Sequence, residues 1–264
     1  MRVTVHVDHR RRLAAARAAP GVGSQRGDFG PYVARLIASH AGDYNAGMIL
    51  TPIAPEDLPR LLAAFAGGLP VGDAVARAAF ARIAGGPSSF ADAAAEEAAR
   101  LQAVDLAARF AIPTLDEEPA KAFSWDGQAI RALSEPCVLL HEIAHWQICP
   151  LARRGLYDFG LGAGPETGRR DEADSARQAD FATQEREEAM TSLLGILWEA
   201  ELGQPAVLAF AEQNWLERAD HPGTPGYFAT VIGWLFAAGL IDEQARPRMT
   251  QVENEGARAE TRAA

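Results

Sequence analysis

The stretch C-V-L-L-H-E-I-A-H-W-Q-I-C-P, Cys137 to Pro150, governs the reading of the whole chain. It holds the pattern H-E-x-x-H at His141, Glu142 and His145. Residues four apart fall on one face of a helix, so the two imidazoles can close on a single metal ion. Ser134 is placed to cap such a helix, Glu135 and Pro136 suit its first turn, and Pro150 stops it. Val138, Leu139, Leu140, Ile143, Ala144, Trp146 and Ile148 make it apolar on nearly every side, which predicts burial. Cys137, His141, His145 and Cys149 follow one another at steps of four. One straight helix cannot wrap four side chains around an ion, so both cysteines are read as packing residues.

Working outward, a third ligand is expected from another element, because two histidines alone do not hold a catalytic metal securely. The helix that begins E-R-E-E-A offers Glu185, Glu187 and Glu188. Glu188 shares a face with inward-pointing residues and is the expected ligand, with Glu185, one turn earlier, as the alternative. Glu185 and Glu187 otherwise suit the helix N-terminal dipole. Two histidines and one carboxylate with open positions fit Zn(II) hydrolysis and Fe(II) oxygen chemistry alike.

At 264 residues the chain can bury a substantial core without staples. A net charge of -10 and a pI near 5.1 leave no electrostatic footprint for nucleic acid or anionic membrane. The basic cluster at residues 10–12 follows the short apolar stretch, the wrong order for a secretory signal, and no apolar run is long enough to span a bilayer. The expected compartment is the cytoplasm.

Before the motif, alternation over residues 2–7 predicts a strand, residues 10–18 a short helix, and the Gly-rich segment 21–30 a loop. Residues 29–39 have helical spacing and 48–53 a second strand. His6, His9 and His40 among them are read as surface or packing residues. Helices follow near 55–66, 71–84 and 88–111, separated by Gly-Gly breaks. Phe90, Ala94, Ala98, Leu101, Val104 and Leu106 mark the expected buried side of the third. Residues 113–127 form an acidic connector in which Ala122 to Trp125 could pair as an edge strand.

Beyond the motif, residues 166–179 carry charge without an apolar face and read as a solvated loop. A helix from Phe181 to Leu202 turns Met190, Leu193, Leu194, Leu197 and Trp198 inward, and two more helices lie near 205–218 and 225–240. The polar stretch after Pro247 reads as a loose tail. The fold class is therefore α+β, predominantly helical, with a few short strands and a zincin-like core in which the H-E-x-x-H helix packs against a glutamate-bearing helix. Three regions are expected: 1–112, of unassigned role; 113–245, the metal-binding catalytic part; and 246–264, a flexible tail.

The block L-H-E-I-A-H-W at Leu140 to Trp146, followed by A-R-R-G-L-Y-D-F-G at Ala152 to Gly160, resembles the bacterial elongation factor P hydroxylase family. The resemblance covers about residues 135–245 and is specific over those two blocks. It implies a non-haem iron enzyme that uses oxygen to hydroxylate a side chain, with His141, His145 and Glu188 as ligands. The first hundred or so residues and the charged insert at 166–179 depart from the family pattern, which leaves the substrate an unspecified amino acid, peptide or protein side chain. Fe(II) is the expected cofactor, with Zn(II) as the alternative and 2-oxoglutarate as an open co-substrate. Arg153 or Arg154 could clamp a carboxylate bidentately, Asp158 could orient a ligand histidine through its second nitrogen, and Tyr157 and Trp146 could wall the site.

The rival expectation is a zinc metallopeptidase with Glu142 as general base. In this respect the motif is also similar to small intracellular peptidases that cleave phage repressors. That reading leaves A-R-R-G-L-Y-D-F-G without a role. A metal-stabilised interaction module is the third expectation, and it would need a fourth protein ligand such as Cys149.

Overall fold

The computed structural model describes residues 53–54, 56–119, 125–163, 170–217, 219, 221 and 223–251. The elements expected before Ile53 lie outside that set, as does the expected edge strand at Ala122 to Trp125 apart from Trp125 itself. The described chain is predominantly helical: α1 (Leu58–Gly68), α2 (Ala74–Ala84), α3 (Ala93–Arg109), α4 (Pro136–Ile148), α5 (Arg170–Ser175), α6 (Phe181–Glu201), α7 (Ala206–Glu212) and α8 (Gly223–Ala237). Strands are minimal. β1 (Thr114–Leu115) and β2 (Ile130–Arg131) pair in parallel, and Trp125 bridges Ile130.

The motif helix α4 starts one residue later than its capping signal suggested. Glu135, not Ser134, occupies the N-cap with extended backbone, and Pro136 opens the helix where its missing N–H costs nothing. Ser134 instead donates its hydroxyl to the Arg131 carbonyl at 3.0 Å. Leu139, Leu140 and Ile143 are almost completely buried, worth roughly 1.5–3 kcal/mol each in transfer free energy.

Against α4 lies α6, capped by Asp180, whose carboxylate accepts from the Thr183 amide at 2.7 Å. The two helices approach very closely at Gly195. A Cβ built there would stand 3.3 Å from the Cα and backbone nitrogen of His141. The absence of a side chain at Gly195 thus lets the glutamate helix reach the backbone that carries the first histidine.

From the other direction α3 packs on α4. Its buried face is Ala99, Ala103, Leu106 and Ala107; of the residues expected inside, only Leu106 is buried, Phe90 and Val104 are half-buried, and Ala94, Ala98 and Leu101 are exposed. The buried stripe Ala99, Ala103, Leu106 and Ala107 is rotated about one residue from the expected one, which carries Ala94, Ala98 and Leu101 to the solvent side.

One apolar core runs continuously from Leu58 to Ala245, crossing position 112 without a break. Part of it is an aromatic cluster. Phe65 stacks on Phe80 with centroids 4.9 Å apart and meets Phe210 and Phe228 edge to face, each at 5.3 Å. Three expectations after the motif change, the first being the helix expected near 205–218, which ends at Glu212 and gives way to a turn at Gln213 to Glu217. Residues 170–175 form α5, with Ala173 buried against Ala163 and Tyr157. Residues 248–251 are tied down rather than loose: Gln147 of α4 donates to the carbonyls of Arg248 and Thr250 at 2.9 and 2.7 Å. No helix among the described residues is long and apolar enough to cross a membrane.

Candidate metal centre

Helical periodicity on two elements builds the site. One turn of α4 separates His141 from His145, and their rings stand edge to face with centroids 4.6 Å apart. Nε2 of His141 lies 3.8 Å, and Nε2 of His145 3.7 Å, from the same oxygen, Oε2 of Glu188 on α6. The three donor atoms all fall within 4.8 Å of one another. A divalent ion with ligand distances of about 2.0–2.2 Å can span two donors up to about 4.2 Å apart, so the His–Glu separations fit one ion. Glu188 is the carboxylate brought to the histidines. Glu185 is exposed, and its charge acts on Tyr227 instead.

Electrostatics favour the same reading. Burial pushes His141 down to about 3 and holds His145 well below the ordinary imidazole range, helped by His141 and Arg153. Both rings are therefore neutral near pH 7, the state in which an imidazole can ligate a metal. Glu188 is pushed the other way. Desolvation raises it well above the carboxylate range, and Asp158, Glu142 and Glu187 repel its charge in that order. Its side chain still keeps 26% of its exposure, so the carboxylate is enclosed by protein yet open to an entering ion. Burial lifts Asp158 to about 6. Two neutral imidazoles and a crowded carboxylate in a low-dielectric setting make a donor set that a divalent cation would relieve.

The segment after α4 explains why A-R-R-G-L-Y-D-F-G is shaped as it is. Asp158 and Phe159 both take left-handed backbone, with φ of 48° and 52°, a region non-glycine residues rarely enter. Packing holds them there: the fully buried Phe159 ring stacks on Trp125 at 5.2 Å and on the His145 imidazole at 5.1 Å. The turn thus sets the Phe159 ring flat against one face of the His145 imidazole.

Both arginines are buried and engaged within the protein. Arg153 donates to the Phe159 carbonyl at 2.8 Å and pairs with Glu187, so the carboxylate it clamps belongs to α6. Glu187 therefore does more than complement a helix dipole. Arg154 donates to the Cys149 carbonyl at 3.2 Å and the Gln251 side chain at 2.8 Å, and lies over the Trp146 ring.

The expectation that Asp158 orients a histidine through its second nitrogen is not met. Nδ1 of His145 is 3.2 Å from the Thr191 hydroxyl, and Nδ1 of His141 is buried with no hydrogen-bond partner. Tyr157 packs toward Ala163 and Ala173, and Trp146 is half buried between Trp125 and Arg154. Cys149 is buried and pushed up to about 12, far from a thiolate, and stands outside the His–His–Glu cluster.

Thr191, Phe159 and Trp125 were not singled out from sequence. Thr191 lies three residues beyond Glu188, on the same face of α6, and that spacing was a usable signal. Nothing local marks Phe159, whose role depends on where the turn returns. Comparison with known proteins adds no assignment: no family model, no curated protein and no solved structure matches the chain.

Proposed function

We propose that this chain is a non-haem iron(II)-dependent oxygenase that oxidises an amino-acid, peptide or protein side chain, built on a zincin-like pair of helices. The observation that carries the reading is the convergence of His141, His145 and Glu188 on one point. Two imidazoles and one carboxylate leave coordination positions open, and Fe(II) in such a set supplies oxygen activation. The resemblance of Leu140–Trp146 and Ala152–Gly160 to the elongation factor P hydroxylases favours iron over zinc.

The chain's own residues would divide the work simply. His141 and His145 offer lone pairs because burial keeps them neutral. Glu188 supplies the balancing charge. Asp158, raised to about 6, can hold or release a proton near neutrality beside Glu188. Arg153 acts through Glu187 and Phe159, bracing the site instead of gripping substrate.

A zinc metallopeptidase is the second reading, favoured by the charge of Glu142 falling on Glu188. In that reading Glu142, whose charge bears on Glu188, would be the general base toward a water molecule. One experiment separates the two: anaerobic reconstitution with Fe(II) or Zn(II), oxygen uptake with and without 2-oxoglutarate over amino-acid and peptide pools, and peptide cleavage in parallel. Iron-dependent uptake lost in Glu188→Ala supports the oxygenase. Zinc-dependent cleavage lost in Glu142→Gln, without uptake, replaces it with the peptidase.

A further inference from the structure

The two ligand histidines differ in what holds their second nitrogen. Nδ1 of His145 sits 3.2 Å from Thr191 Oγ1, whereas Nδ1 of His141 is buried with no hydrogen-bond partner. Thr191 is completely buried and lies on α6 one turn after Glu188, so the helix that delivers the carboxylate also delivers the hydroxyl. We propose that Thr191 is a positioning residue for the metal site: its hydroxyl accepts Nδ1–H of His145 and so holds that ring in the tautomer whose Nε2 lone pair faces Glu188. This rests on the metal-site reading above.

A neutral imidazole carries one proton on either nitrogen, and ligation through Nε2 requires it on Nδ1. A buried N–H without an acceptor is costly, so a side chain at position 191 that cannot accept would favour the other tautomer, with Nε2 protonated and unable to ligate. Phe159 fixes the plane of the same ring from its face. Plane and tautomer are then set by separate elements. His141 has no corresponding hydrogen bond, which makes His145 the anchored ligand and His141 the one that adjusts.

The test uses the full chain, metal-free and 15N-labelled. Ring nitrogen spectra of apo wild type should show His145 protonated at Nδ1. Competition for Zn(II) against a chromophoric chelator should show Thr191→Val weakened by about ten- to hundredfold, the usual loss on removing an outer-sphere partner. Thr191→Ala, which adds no bulk, should show the same loss, and Thr191→Ser should stay within about threefold of wild type. A merely structural role would lower apo stability without moving the His145 tautomer. The inference is overturned if His145 is protonated at Nε2 in apo wild type, or if Thr191→Val and Thr191→Ala bind Zn(II) as tightly as wild type. Wild-type protein that takes up neither Zn(II) nor Fe(II) overturns the metal-site reading itself.

Discussion

Four phenylalanines from four helices, Phe65, Phe80, Phe210 and Phe228, meet in one part of the core. In another, His141, His145 and Glu188 meet, with Asp158 and Glu142 close enough to act on the glutamate. Both clusters draw on helices packed in the same continuous core, yet the first gains free energy from burial and the second loses it. An aromatic cluster with stacked and edge-to-face rings satisfies itself. A neutral imidazole pair beside crowded carboxylates does not, and a divalent cation held by His141, His145 and Glu188 would offset the loss.

That contrast can be broken first at Phe65. Replacing this fully buried ring by alanine should cost about 3–5 kcal/mol in urea denaturation of the metal-free protein. Zn(II) affinity of the folded fraction should hardly change. A large fall in affinity would mean that the two clusters are one cooperative unit.

A change of opposite sign is expected at Asp158. Its acid is raised to about 6 in the folded protein against an ordinary 3.8, so the folded state prefers the protonated form. Stability from this group is present below about pH 4 and is lost as pH rises to about 6. Asp158→Asn should therefore stabilise the apo protein at pH 8 by about 3 kcal/mol at most, and by roughly half as much at pH 5. The depressed histidines lose stability as pH falls below about 6.5, but they do so in both proteins and cancel in the difference. A destabilised Asp158→Asn protein at pH 8 would remove the claim that this carboxyl is held against its preference.

The smallest effect is expected at Asp180, the cap of α6. Asp180→Ala deletes the bond to the Thr183 amide and should lower stability by about 1 kcal/mol. Metal affinity should be retained, because Glu188 sits two turns inward. An affinity loss beyond tenfold would show that the first turns of α6 position the ligand.

Much of this was legible in sequence where periodicity was long. The fold of α4 and α6 and the choice of Glu188 over Glu185 follow from spacings of three and four residues on amphipathic or wholly apolar helices. Ala94, Ala98 and Leu101 misled because an alanine-rich helix carries too little hydrophobic contrast to fix which stripe turns inward, and the true stripe is Ala99, Ala103, Leu106 and Ala107. The helix at 170–175 has only Ala173 to bury, too little for periodicity to register. Two-residue strands at 114–115 and 130–131 carry no alternation at all. The anchoring of residues 248–251 depends on Gln147 and Arg154, a hundred positions away, and no local signal announces it.

X-ray absorption on protein loaded with one equivalent of Zn(II) or Fe(II) tests the central claim most directly, with His145→Ala and Glu188→Gln as controls. We expect a single bound ion with two imidazole nitrogens and a carboxylate oxygen at about 2.0–2.2 Å. Both substitutions should abolish retention while leaving the apo fold intact. A folded wild-type protein that retains no ion, or an ion whose ligands survive both substitutions, would contradict the assignment of His141, His145 and Glu188 as a metal centre.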